Sequence, residues 1–407
     1  MNFRGATTHV RDATGRAASA LFRSRRFVAA LALLAATFGL QLLASLAPRF
    51  VERFYSRLVF PEITRALSLP SLPFDFSLGE ALLAALAVSA VAWLAWQARG
   101  LYRRQRRWQE FLFALFTSAL LLAASTAALF MLVFGLNYQR EYLSESLRLV
   151  RREPDAAEAE AIARELLDGV NRNYEEARAA VRPDSGSVMP FSREELYRLL
   201  EDAFPREPLL NLPETAGLAR PKPVYFDGTL SRLGISGVYS PFTAEPNYND
   251  AQPDSIIPFT VAHEMAHQRG YAREAEASFV AFLVCKASAH PYVRYSGYVG
   301  GLVALSALQR LTPQRRAELF RGLGDGPRAD LQARSRFWSR YVGRASALAQ
   351  SLNHAYLKAN GVRSGVRNYN EAAWLVVGYY LKRFAEAGPP PVAAREKNWH
   401  TLTFARP

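Results

Sequence analysis

His263-Glu264-Met265-Ala266-His267-Gln268-Arg269-Gly270-Tyr271-Ala272-Arg273-Glu274-Ala275-Glu276-Ala277-Ser278-Phe279 is the stretch on which the reading of this chain turns. On a helix, positions i and i+4 share a face, so the imidazoles of His263 and His267 can reach one metal ion with Glu264 beside them. That spacing is the layout of a zinc hydrolase. A catalytic zinc takes three protein ligands and keeps an open position for water. His263 and His267 supply two ligands, and Glu264 is placed as general base. A third ligand has to follow.

Two patterns can supply it. In HExxHxxGxxH the last position is a His; here Gly270 fits, but the final position is Arg273, which cannot deprotonate to bind metal. In the other pattern a Glu on the next helix binds, and Glu274 and Glu276 are both available. Glu274 is preferred, because its helical face continues through Ala277, Ser278 and Ala281, small enough for close helix approach. Glu276 shares a face with Phe279, Val280 and Leu283 and is the second choice. Ser278 stands where an Asp or Asn often orients a ligating His. The donor set of two imidazoles, a carboxylate and water suits Zn2+.

Local punctuation supports the helix pair. Pro258 fits a helix first turn, where its missing N–H costs nothing, and Gly270 fits the residue past a C-terminus. Phe259, Ala262 and Ala266 give the first helix an apolar face, and a second helix is expected from about Ala272 to Ala289, ending before His290-Pro291. Upstream, Val224 to Phe226 and Ile235 to Tyr239 read as short strands, aromatic, β-branched and bounded by Gly and Pro. A strand ahead of such a helix either packs in the core or offers its edge to an extended peptide.

The first third of the chain is different in kind. Apolar spans at about 27–47, 79–98 and 111–136 are long enough, at about 1.5 Å per residue, to cross a hydrocarbon core of about 30 Å. A cleaved signal peptide is the competing reading of the first, with Arg23, Arg25 and Arg26 before it and Ser45-Leu46-Ala47 as a cleavage site. Its apolar core exceeds the roughly 7 to 15 residues of a signal sequence, and Pro48 follows the candidate bond, so an anchor is expected. Arg4, Arg11, Arg16, Arg23, Arg25 and Arg26 precede the first span, and Arg99, Arg103, Arg104, Arg106 and Arg107 lie between the second and third. Basic loops are retained in the cytoplasm, so residues after about Leu136, the His pair included, are expected outside the cytoplasmic membrane with the N-terminus inside.

Composition bounds the rest. The formal charge is +14, but much of the excess flanks the apolar spans, where retention and anionic lipid account for it, and no nucleic-acid module stands out. No nucleic-acid partner is expected; the lipid bilayer is. Cys285 is the only cysteine, so no internal disulfide can form. Residues 140–182 read as helix from Ile162, Leu166, Leu167 and Val170 at helical spacing, with a short helix at 193–203 among the prolines of 182–223. Apolar runs at Val299 to Leu308 and Ala372 to Leu381 read as core helices, and Pro389-Pro390-Pro391 as linker. The expected organisation is a membrane anchor over 1–136, a helical and Pro-rich connector over 137–223 and a catalytic domain over 224–407.

Gly237-Val-Tyr-Ser-Pro-Phe-Thr-Ala-Glu-Pro-Asn-Tyr-Asn249, the stretch from Pro258 to Glu274, and Arg294-Tyr-Ser-Gly-Tyr298 resemble a bacterial membrane-anchored HExxH family that carries a domain-of-unknown-function label. The resemblance covers most of the chain and is most specific from Ser240 to Phe279. It implies a gluzincin-like zinc metallopeptidase and brings no substrate. This chain departs from it with Ser278 where Asn is usual and Ala275 where an acid is usual.

The expected fold is mainly α with a small β-sheet: three N-terminal transmembrane helices followed by a zincin-like, gluzincin-type, α-rich domain. The expected activity is zinc-dependent hydrolysis of peptide or protein substrates in the cell envelope. The alternatives are a non-enzymatic zinc-binding envelope sensor or scaffold, and a zinc hydrolase acting on a non-protein amide. Candidates for stabilising a developing oxyanion are Tyr295, Tyr298 and His354. Glu245, Asn247 and Asn249 either line the cleft or form a turn around Pro246.

Overall fold

The computed structural model describes residues 23–103, 107–182, 186–207, 209–210, 218–361 and 368–387. The basic tail before Arg23, Arg104 and Arg106, and the Pro389 to Pro391 stretch lie outside the described residues.

Three helices, α1 (Arg25–Leu46), α3 (Leu78–Tyr102) and α4 (Trp108–Val133), are long and apolar enough to cross a membrane. Little of their apolar surface is covered by the protein itself; Phe38, Leu43, Leu83, Val88 and Leu122 are all exposed. Ser24 caps α1 and Ser77 caps α3, each hydroxyl accepting a first-turn N–H. The third helix ends earlier than the apolar run, because Phe134 leaves helical geometry and a 3-10 turn follows from Gly135 to Gln139. Between α1 and α3 lies a π-helical segment, Val51–Val59, that runs into α2 (Phe60–Ser68). It exposes Phe54 and Leu58 and buries Glu52 and Ser56.

Helix α5 (Ala156–Ala177) opens with a capping box: Glu158 N–H donates to Asp155 Oδ1 (2.8 Å) and Asp155 N–H donates to Glu158 Oε2 (2.9 Å). The helix is shorter than the expected 140–182. Residues before it are drawn out by Arg273 and Glu276, whose side chains bind the backbone at Tyr138, Arg140 and Leu143. Ile162, Leu166, Leu167 and Val170 are buried, as their spacing predicts. Helix α6 (Arg193–Ala203) buries Leu196 and Leu200 in the same cluster as α5 and the His-bearing helix. The stretch expected as a connector therefore supplies part of the one large core, which starts near Leu143.

The sheet around the site has three short strands, β1 (Lys222–Pro223), β2 (Gly237–Ser240) and β3 (Glu245–Tyr248), in the order β1-β3-β2. Strand β2 runs antiparallel to β3, with Gly237 opposite Tyr248 and Ser240 opposite Glu245. Two expectations shift here. Val224 N–H still bonds to Tyr248 O (3.0 Å), but Tyr225 and Phe226 turn away, their N–H groups donating to the Glu80 carboxylate of α3. Glu245 to Tyr248, expected as a turn or cleft lining, is the central strand; β1 pairs only with Asn247 and Tyr248, so Pro246 sits beyond that ladder's end.

The His-bearing helix α7 (Ile257–Gln268) has Pro258 in its first turn, and Gly270 follows it at φ +86°. Helices α8 (Glu274–Ala287), α9 (Pro291–Gly301) and α12 (Asn368–Ala387) close the core around Phe279, Phe282, Tyr292 and Tyr380. Helices α10 (Asp325–Ser339) and α11 (Arg344–Ala359) precede α12 in the chain and lie at the edge of this body. The Val299 to Leu308 run is helical only to Gly301 and then tightens to 3-10 geometry through Ala307. Cys285 is buried and unpaired as a small core residue. The chain is mainly helical with small sheets.

Candidate metal centre

Helices α7 and α8 are joined by a turn that Gly270 makes possible. Tyr271 N–H returns to Ala266 O (3.1 Å), and the Tyr271 carbonyl then accepts from His267 Nδ1 at 2.7 Å. On the next turn of α8, Ser278 Oγ sits 3.2 Å from His263 Nδ1. With Nδ1 of each ring placed against an oxygen, Nε2 is the atom each ring turns towards a common point. They converge on Glu274 Oε2, at 3.2 Å from His263 and 3.7 Å from His267. Two ligands about 2.1 Å from a tetrahedral ion lie about 3.4 Å apart, so the three donors fit a zinc-sized ion.

Glu276 faces the other way. Its carboxylate accepts from Arg273 Nη1 (2.9 Å) and from the Leu143 N–H (2.9 Å). Arg273 also donates to the carbonyls of Tyr138 (2.9 Å) and Arg140 (2.6 Å) and lies over the Tyr142 ring. Arg140 reaches back to the turn, donating to Gly270 O (2.9 Å) while its other nitrogens hold Glu52. Arg273, which rules out a third His ligand, thus clamps the turn that carries Glu274.

Glu264 is buried beside the imidazoles. Burial pushes its carboxyl up to about 7, against the pull of His263 and His267, with Glu274 adding to the rise. A Tyr239 main-chain hydrogen bond from β2 favours its charged form. In the metal-free protein, burial opposes charge on His267, but Glu274 and Glu264 overcome it and hold its pKa near 9. Glu274, for its part, is half-buried; desolvation raises its pKa, yet the two imidazoles hold it well below the usual carboxylate range. A metal held at His267 would have to displace the proton on that ring.

These side chains line a cleft of about 780 Å³. The lining includes the β2 edge from Ser236 to Tyr239, Phe130 at the end of α4 with Phe134 and Tyr138 after it, Arg334 and Trp338 of α10, and Asn353 and Tyr356 of α11. Tyr138 and Tyr356 bond through their hydroxyls at 3.2 Å, and both feel the Glu274 charge. Neither was a candidate from sequence, because nothing local relates positions so far apart to the His pair.

The residues proposed from sequence as oxyanion donors lie elsewhere. Tyr295 is buried and donates to Asp330 (2.7 Å), Tyr298 packs on Gly169 and Phe282, and His354 is half-buried on α11 outside the cleft lining. Glu245 is buried away from the cleft. It accepts from the Leu78 and Gly79 N–H groups at the start of α3 and from Lys222 Nζ (2.7 Å). A second cavity of about 560 Å³ lies behind Arg273 and Glu276, with neither His in its lining.

A family model described as a protein of unknown function (DUF3810) matches residues 55–377, from the π-helical segment through most of α12. No curated protein matches the chain, and no solved structure does.

Proposed function

We infer that this chain, which belongs to the DUF3810 family of proteins of unknown function, is a membrane-tethered zinc metallopeptidase with a gluzincin-type site. One observation carries the reading: both His Nε2 atoms meet the Glu274 carboxylate while each Nδ1 is held by an oxygen, with Glu264 buried alongside. His263, His267 and Glu274 would hold the ion. Zinc bound there supplies Lewis acidity and brings the pKa of a water towards neutrality.

The chain's own residues do the rest. Glu264 accepts a proton from the attacking water and returns it to the leaving amine, a role that suits a carboxyl whose pKa lies near 7. The edge of β2, which no other strand covers among the described residues, supports an extended peptide through main-chain hydrogen bonds, laying it across Glu264. A closed structural zinc site has no use for such a base, which weighs against a scaffold.

The three apolar helices, with arginines before the first and between the second and third, favour a multi-pass protein of the cytoplasmic membrane whose cleft faces outward. Phe130 and Phe134 at the end of α4 form part of the cleft, which favours envelope peptides or proteins presented at the bilayer surface.

The test uses the full-length chain in lipid nanodiscs, measuring zinc content and cleavage of a peptide library. Wild type is expected to hold about one zinc per chain and to cleave; Glu264→Gln is expected to keep the zinc and lose cleavage by at least about a thousandfold. Cleavage that survives Glu264→Gln removes the mechanism. Zinc retention without cleavage in the wild type favours a sensor.

A further inference from the structure

We propose that Arg334 anchors a substrate carboxylate, making this cleft selective for acidic peptides; the inference rests on the peptidase reading above. Arg334 lies on α10 and lines the same cleft as His263, Glu264 and Glu274. It is half-buried, and among the described residues it has neither a carboxylate nor a hydrogen-bond acceptor; desolvation alone acts on its charge. The other arginines close to the site are spoken for. Arg140 holds Glu52, Arg273 holds Glu276 and Arg269 holds Glu201. A partly buried guanidinium without a counter-charge is costly, and a protein that keeps one in a ligand cleft has a ligand to meet it.

Charge balance points the same way. Glu264 and Glu274 are the acidic side chains in the described lining, and both face the imidazoles of His263 and His267. Neither pairs with Arg334, whose positive charge is met by no carboxylate among the described residues. Its place in the fold sets it apart from the helix pair of the reacting centre, since α10 packs mainly on α5 and on the strand Gly186–Ser187. It therefore reaches the cleft from another wall, where a flanking part of the substrate lies. A guanidinium presents a planar fork that meets a carboxylate with two parallel hydrogen bonds. Gln350 and Asn353 of α11 also line the cleft and can hydrogen-bond to peptide groups of the substrate.

The carboxylate has two sources, an Asp or Glu side chain or a free C-terminus, and one binding experiment separates them. Short fluorescent peptides are titrated onto the zinc-loaded full-length Glu264→Gln chain in nanodiscs. The set contains Asp or Glu against Asn or Gln, and free against amidated C-termini. Peptides bearing the right carboxylate are expected to bind about tenfold tighter than their amide counterparts. Arg334→Gln should erase that preference without weakening the amide peptides, and Arg334→Lys should keep part of it. Equal affinities, no binding of either class, or a uniform loss in Arg334→Gln would overturn the proposal. A variant that retains selective binding but slows turnover of uncharged peptides a hundredfold would also overturn it, placing Arg334 at the reacting atoms. Selective binding without cleavage by wild type leaves the anchor standing and removes only the peptidase reading.

Discussion

Gly237 and Glu264 are so close that a β-carbon at position 237 would lie 2.5 Å from Glu264 Oε1 and 2.8 Å from its Cγ. The absence of a side chain lets β2 pass directly over the proposed base and bring the Tyr239 main chain into hydrogen-bonding contact with it. Gly237→Ala must displace either the strand or the carboxylate. A shift approaching 1 Å costs about a hundredfold in rate, whereas the proposed zinc donors on α7 and α8 are untouched. Turnover about a hundredfold down with zinc content unchanged is the expected result, read from kinetics and metal analysis on the same preparation.

The proposed third ligand, Glu274, separates cleanly from its neighbour two residues on. Glu274→Gln removes a charged donor that faces both imidazoles, and zinc affinity should fall by at least about a hundredfold. Glu276→Ala leaves zinc in place but strips the buried Arg273 of its carboxylate, costing about 3 kcal/mol of stability. Competition with a chelator and thermal melting of both variants give the two readings. Zinc lost in the Glu276 variant with normal folding would reverse the assignment.

Metal-free protein should respond to pH with a definite sign. His267 has its pKa raised from 6.5 to about 9 by Glu274 and Glu264 against its burial. A raised folded pKa means that the native state binds the extra proton. Its stabilisation is fully present below pH 6.5 and is lost as pH rises through 9. Melting of the metal-stripped chain should fall across that window, by an amount on the order of a few kcal/mol. In His267→Asn the same window should be flatter. With zinc present the sign reverses, because the ion needs the neutral imidazole.

What could be read in advance follows from how far apart the cooperating residues lie. The two imidazoles, Glu264 and Glu274 fall on consecutive helices joined by one turn, so helical periodicity and Gly270 were enough to bring them together. Ser278 sits one turn beyond Glu274 and was legible for the same reason. Tyr138, Tyr356 and Arg334 reach the cleft from three other helical segments, and no local pattern links them to α7. Glu245 to Tyr248 misled because Pro246 is a turn residue by propensity. Its place in the central strand depends on β1 pairing only with Asn247 and Tyr248, so that no bond of that ladder is asked of a residue without an N–H, which is a tertiary fact.

That same strand carries the last prediction. The Glu245 carboxylate, fully buried, takes the Leu78 and Gly79 N–H groups at 3.0 and 2.7 Å, Lys222 Nζ at 2.7 Å and the Thr243 hydroxyl at 2.7 Å. Helix α3 answers through Glu80, which accepts from Tyr225 and Phe226. An apolar helix is thereby fastened to the sheet whose edge lies over Glu264, since Glu245 pairs with Ser240 of β2. Glu245→Gln leaves Lys222 buried without a counter-charge and should cost about 3 to 5 kcal/mol, whereas removing both charges in Glu245→Gln/Lys222→Met should restore much of the loss. Thermal melting in nanodiscs measures the cycle. If the tie also sets the position of β2, turnover in the double variant should remain low despite the recovered stability, because α3 has lost the negative charge at its N-terminus that held it to the sheet. Full recovery of both would make Glu245 a folding element alone.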